Sequence, residues 1–361
     1  MVDSVGADQV RGNFRDSAMD TKMTGAVVTY LDLNHVINLA QEIKSGTTPL
    51  FDRLLHLSQT HKVVFVASAM HFWEIFEIRD PQQRKNITHV LKSLTNKLVI
   101  RDYEHVQHME INNLIARHFE VKGKIFPLPF FAFSVGYFES FGRVTLEPPE
   151  GAAHQPELYA KIEKELYALL QTDEAIDIMM DRFDVLPKMQ EDDPVHTQLK
   201  SAIVRDRENW KALSFHKKER ENLLQYQHRL ISKFDEYATR LDIKVNGLHP
   251  LLPDQFRGTE VLATLPTINM WAKMNMFIYH KDLTAKVDVN DLMDIGHLSV
   301  AVPYCDVVVC DNKMHSVLVS SKLDQEYKTA IFRNLAEATD YLEDRVTGIA
   351  PYLRRAADRQ R

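Results

Sequence analysis

Between residues 26 and 105, and again between 287 and 345, short continuous apolar runs alternate with amphipathic stretches. Runs of this length, rich in β-branched residues, suit strands of a parallel sheet covered on both faces. Ala26–Leu31, Lys62–Ala67 and Leu98–Ile100 read as the first three strands, and Asp306–Cys310 and Thr329–Phe332 as the fourth and fifth. Helices are predicted at about 35–43, 50–59, 69–80, 81–94, 291–302 and 335–345. Ser68 is placed to cap the third of these, and Asp80-Pro81 to cap and open the fourth. Strand and helix in alternation predict an α/β fold built on a parallel sheet with right-handed crossovers.

From about Tyr103 to Met276 the strand rhythm disappears and helical periodicity takes over at about 104–119, 155–186, 195–243 and 258–276. The predicted organisation is a polar, aperiodic leader over 1–24, a first half-core over 25–105, an all-helical insertion over 106–286, a second half-core over 287–348 and a basic tail over 349–361. Within the insertion, Ile125–Phe141 is densely aromatic and reads as core or dimer interface, with a stacking platform for bases as the alternative. The stretch from Arg205 to Lys244 is basic. It is either a solvated helix face or a wall that holds phosphates, with Lys217, Lys218 and Arg220 as candidate contacts.

Composition narrows the class. The 361 residues are 45% hydrophobic with a net charge of −6, which excludes a histone-like, wholly basic surface but leaves room for a local basic groove. The two cysteines, Cys305 and Cys310, offer neither a disulfide frame nor zinc spacing and fit a reducing compartment. The sequence carries no signal-peptide pattern and no apolar run of membrane-spanning length, so a soluble, cytoplasmic protein without a membrane partner is expected.

The candidate chemistry lies at the strand ends. Asp32 closes the first strand, Glu74 sits early on the helix after the second, Asp294 lies in the first turns of the late helix and Asp311 closes the fourth strand. In a parallel sheet, strand ends and the starts of the following helices share one edge, where open α/β sheets bind ligands. Clustered carboxylates repel unless a cation joins them, and an oxygen-rich donor set suits Mg²⁺ or Mn²⁺. Such an ion can activate water for attack on a phosphodiester, leaving a 5′-phosphate and a 3′-hydroxyl. Asn34 is placed to orient Asp32 or simply to fill a helical turn. Asp291 shares a helix face with Asp294 or caps that helix, and Asp306 reads as a turn residue. His35, His71 and His297 fall near the edge, but the chain has sixteen histidines, and no role is assigned to these three.

In their order, YLDLNHVINLA, SAMHFWE, DIGHLSVAV and VVVCD resemble the motifs of the PIN-domain nuclease family over about residues 26–105 and 287–345. The resemblance implies a PIN-like sheet of order 3-2-1-4-5, an acidic site at Asp32, Glu74, Asp294 and Asp311, and metal-dependent cleavage of RNA in preference to DNA. Two departures accompany it: Cys310 stands where the family often has a hydroxyl residue, and the insertion exceeds the family's minimal form. That insertion is a candidate surface for self-association or a partner protein. The competing readings are a DNA nuclease with the same site, a PIN-like core that binds without cutting, and a haloacid-dehalogenase-type phosphatase. The last requires a second Asp where Asn34 stands.

Overall fold

A computed structural model of the chain describes residues 25–121, 124–126, 130–141, 156–170, 172–182, 194–214, 217–218, 220–225, 236–237, 239, 241, 264–280 and 288–348. The predicted leader and basic tail lie outside the described residues.

The first half-core runs β1 (Val27–Leu31), α1 (Leu33–Ser45), α2 (Pro49–Gln59), β2 (Val63–Val66), α3 (Ala69–Glu77), α4 (Pro81–Thr95) and β3 (Leu98–Ile100). Its punctuation follows local chemistry. Gly46 ends α1 in the left-handed conformation at φ 77°, and Asp80 caps α4 by accepting from the Gln82 amide at 2.9 Å, ahead of Pro81. Then come α5 (Tyr103–His118), β4 (Phe133–Val135), α6 (Pro156–Leu170), α7 (Asp173–Arg182), α8 (Pro194–Trp210) and α9 (Pro266–Asn275). The second half-core contains α10 (Val289–Tyr304), β5 (Val307–Val309), α11 (Asn312–Ser320), α12 (Leu323–Glu326), β6 (Ala330–Phe332) and α13 (Leu335–Thr347).

The fold is α/β, with a four-stranded parallel sheet in the order β2-β1-β5-β6 flanked by helices. Side chains alternate across it, as the period of a strand requires. Leu31, Phe65, Val307 and Val309 enter one core with residues of α1, α2, α4 and α13. Val28, Tyr30, Val66, Val308 and Cys310 enter the other with residues of α9, α10 and α11. Both cysteines are free and buried within this second core.

The predicted order 3-2-1-4-5 needs correction. Leu98–Ile100 is not a ladder member of the parallel sheet; it pairs antiparallel with β4 and meets the end of β2 through a single parallel bridge, Ala67 to Val99. Its full ladder partner, Phe133–Val135, arises inside the aromatic segment, so the insertion is not all-helical. Short 3₁₀ turns, Phe130–Ala132 and Tyr137–Phe141, bracket this strand and mask its alternation. Of the two readings of the aromatic segment, core is the one realised for its central part. Phe131, Phe133, Tyr137 and Phe138 are buried, with Tyr137 and Phe141 against Phe72 and Phe131 against Tyr304.

The described ends of the insertion dock on the second half-core. Glu110 of α5 accepts from the Thr267 amide at 3.0 Å, the Thr267 hydroxyl at 2.6 Å and the Tyr304 hydroxyl at 2.7 Å, so one buried carboxylate joins α5, α9 and α10. Among the described residues no helix is long and apolar enough to cross a membrane.

Asp306, expected to be a turn residue, is a buried anchor. Its carboxylate accepts from the Val28 amide at 2.9 Å and from Arg345 at 3.2 Å, tying β1 and α13 to the start of β5. Removing it strands a buried backbone donor, a loss that typically costs about 1–3 kcal/mol. Asp306→Ala should therefore lower the free energy of urea unfolding by about that amount, and an unshifted midpoint would show that the anchor contributes nothing.

Candidate active site

Asp32 follows the last residue of β1, and its amide donates to Val309 O at 2.8 Å. This bond is a continuation of the β1–β5 ladder, so the register that pairs Leu31 with Val309 also brings the end of β5, and with it Asp311, beside Asp32. Although Asp32 occupies the N-cap position of α1, its side chain makes no capping hydrogen bond. Asp311 does cap: its Oδ1 accepts from the Met314 amide at 2.7 Å at the start of α11. Glu74 projects from α3, which follows β2 on the other side of β1. Asp294 comes from α10, where its Oδ1 lies 3.9 Å from His297 Nε2.

The four predicted carboxylates act on one another. Burial first, and then the Asp311 charge, push Asp32 up to about 6; the backbone at Leu33, the Asn34 side chain and the backbone at Asp311 partly oppose this. Burial, Asp32 and Glu77 push Glu74 up to about 8. Asp294 also rises to about 8, through burial and then the charges of Asp32, Glu74, Asp311 and Asp291. Four chain segments thus deliver acids into one poorly solvated field, and at neutral pH two of them hold their protons.

The flanking candidates occupy different places. Asn34 is exposed beside Asp32 and offsets part of its shift. Asp291 is buried and pairs through Oδ1 with Lys313 of α11, while its Oδ2 has no hydrogen-bond partner among the described residues. It is not the helix cap, because Asp288 fills that role by accepting from the Asn290 amide at 3.0 Å. Lys217 and Arg220 are exposed, but Lys218 is buried at 6% relative exposure. Of the predicted phosphate contacts, only Lys217 and Arg220 face solvent.

No family model, curated protein or solved structure matches this chain.

The edge rests on a layer of neutral rings to which the sequence pattern assigns no role. His71 Nε2 lies 2.6 Å from Leu31 O, and its Nδ1 accepts from the Ser68 amide at 3.0 Å. The Tyr30 ring packs against both His71 and His297, at centroid distances of 5.1 and 5.4 Å. Burial pushes His71 down to about 4. Burial, together with His71, pushes His297 down to about 3, so both imidazoles are neutral at physiological pH. The available sequence signal was the Ser68-x-x-His71 spacing, which forms a capping box with His at its third position.

In kind, the donor set fits a hard divalent cation, because Asp32, Glu74, Asp294 and Asp311 offer only carboxylate oxygens whose repulsion a cation would relieve. Among the described residues, however, no three His, Cys, Asp or Glu side chains are already gathered closely enough to hold a metal ion.

The raised acids fix a pH dependence. The folded chain keeps protons on Glu74 and Asp294 up to about pH 8, whereas the unfolded chain releases them near pH 4. Between these limits the native state binds more protons, so the stability these groups contribute is present at low pH and lost as pH rises through their folded values. In EDTA the melting temperature should fall from about pH 5 to about pH 8.5, and Asp294→Asn, which cannot ionise, should flatten that fall. A parallel profile in wild type and variant would remove Asp294 from the coupled cluster.

Proposed function

We propose that the chain is a metal-dependent PIN-like endoribonuclease. The observation that carries this reading is the convergence of Asp32, Glu74, Asp294 and Asp311, from two strand ends and two helices, into one field where burial and mutual repulsion raise three of the four. As anions, buried acids at one sheet edge oppose folding, since each pushes the others toward the protonated form. Their placement is explained by a cation and an anionic substrate that require it.

Asp32, Glu74, Asp294 and Asp311 would hold Mg²⁺ or Mn²⁺. Such an ion supplies a hydroxide-like water and neutralises charge on the phosphodiester. Asp32, already at about 6, gives up its proton near neutrality, while Glu74 and Asp294 would have to release theirs to serve as ligands. Asn34, exposed beside Asp32, is placed to hold the Asp32 carboxylate by an amide hydrogen bond. The exposed Lys217 and Arg220 would contact phosphates further along the strand. The preference for RNA rests on the family resemblance of the sequence motifs. The second, competing reading is a PIN-like core that binds nucleic acid without cutting it.

Incubating total RNA, tRNA and single- and double-stranded DNA with Mn²⁺, Mg²⁺ or EDTA separates these readings. RNA cleavage that needs the metal and disappears in Asp32→Asn is the expected outcome. Preferential cutting of DNA would redirect the substrate, and metal-independent binding with no cutting would favour the second reading. In binding titrations on single-stranded RNA, Lys217→Glu with Arg220→Glu should flatten the log–log salt slope by about 0.7 for each phosphate that these two side chains neutralise. An unaltered slope would return these residues to a solvated face.

A further inference from the structure

One imidazole connects the segments that present two of the four acids. Leu31 O can only accept a hydrogen bond, so His71 must carry its proton on Nε2, 2.6 Å away. The Ser68 amide can only donate, so Nδ1, at 3.0 Å, is the unprotonated nitrogen. The Ser68 hydroxyl also lies 3.0 Å from Nδ1, and 3.5 Å from the Tyr30 hydroxyl. Leu31 immediately precedes Asp32, and its carbonyl belongs to the peptide that carries the Asp32 amide. Ser68 is the N-cap of α3, the helix that carries Glu74. His71 is 1% exposed, so solvent cannot substitute for either bond. A capping box accounts for the Ser68 side of this arrangement, and any good acceptor would satisfy it. The bond to Leu31 is 40 residues away in sequence and has no capping function.

We propose that His71 is a positioning residue which clamps the Leu31–Asp32 peptide to the N-terminus of α3, and thereby sets the Asp32 and Glu74 carboxylates against each other for a shared cation. Its neighbours support a fixed ring: Tyr30 packs against it with its plane tilted by 58°, and the same tyrosine also contacts His297. The proposal rests on the metal-dependent reading of the site. It places the residue one step behind the acids, where loss of an orienting hydrogen bond typically weakens metal affinity 10–100-fold.

Two substitutions divide the two bonds. Asn at this position places an acceptor near Nδ1 and keeps the cap, but cannot reach Leu31 O. Gln extends an amide NH₂ toward the place of Nε2 and restores that reach. Calorimetric titration of the full-length protein with Mn²⁺, with circular dichroism to verify folding, reads the effect without relying on cleavage. His71→Asn should bind Mn²⁺ roughly 10-fold or more weakly, whereas His71→Gln should stay within about threefold of wild type. On RNA, His71→Asn should lose kcat and retain KM. Wild-type affinity in His71→Asn would reduce His71 to a helix cap and overturn the proposal. If His71→Asn does not fold, His71→Gln decides alone, since loss of Mn²⁺ binding in a folded Gln variant also overturns it. Wild-type protein that binds no Mn²⁺ would instead overturn the metal reading on which the proposal stands.

Discussion

Everything at the candidate site depends on the double pairing of β1. Because this strand lies between β2 and β5 in parallel register, its carboxyl end is flanked on one side by the helix after β2 and on the other by the end of β5. Asp32, Glu74 and Asp311 are consequences of that pairing, far apart in sequence yet delivered to one edge. Asp294 joins them because α10 packs in the core that Tyr30 and Val308 help to form. A one-residue slip of β1 against β5 would turn Val28 and Tyr30 to the wrong core and carry Asp32 away from Asp311. Asp306 guards against this slip, since its carboxylate holds the Val28 amide and so locks β1 to the start of β5.

The same packing that makes the sheet stable makes the site costly. Burial is the largest cause of the shifts at Asp32, Glu74 and Asp294, with neighbouring charges second. Hydrophobic layers on both faces withdraw water from the strand ends, and the acids then feel one another through a poor dielectric. Glu110 provides the contrast within the same chain. It too is buried and raised, to about 7, but it accepts three hydrogen bonds from Thr267 and Tyr304 and serves to join helices. The edge acids are distinguished by their mutual charge. The Oδ2 of Asp291 has no hydrogen-bond partner among the described residues, and the side chain of Asp32 makes no cap at the start of α1.

How much of this was legible in the sequence follows from the range of each interaction. Elements governed by local period and capping were readable: β1, β3, α2 and α4 lie within a residue or so of their expected spans, because apolar runs, Ser68, Asp80-Pro81 and Gly46 act over a few residues. The strand Phe133–Val135 was not, since three residues between 3₁₀ turns are too few to show alternation. The sheet order failed for the same reason, because the choice of β4 as the ladder partner of Leu98–Ile100 is made across a long intervening segment that carries no strand-period signal. Lys217 and Lys218 were indistinguishable as a doublet, yet adjacent helical positions point about 100° apart, and only one of them faces solvent. Strand-end acids were legible because strand ends are; His71 was not, because its spacing from Ser68 announces a cap and says nothing of Leu31.

The chemical character of the layer beneath the acids then has a reason. A lysine or arginine at position 71 could also donate to Leu31 O, but it would bring a positive charge under Asp32 and Glu74, stabilise them as anions and compete with any divalent cation for them. A neutral imidazole donates the hydrogen bond without that charge. Burial ensures its neutrality, and the two backbone partners fix which nitrogen holds the proton. Tyr30 and His297 extend the same logic, since both are buried and neutral, and neither can discharge the field above them. On the metal-dependent reading proposed above, the compensating cation would come from outside the chain. Lys313, which could otherwise supply one, is directed instead to Asp291 at the margin of the cluster.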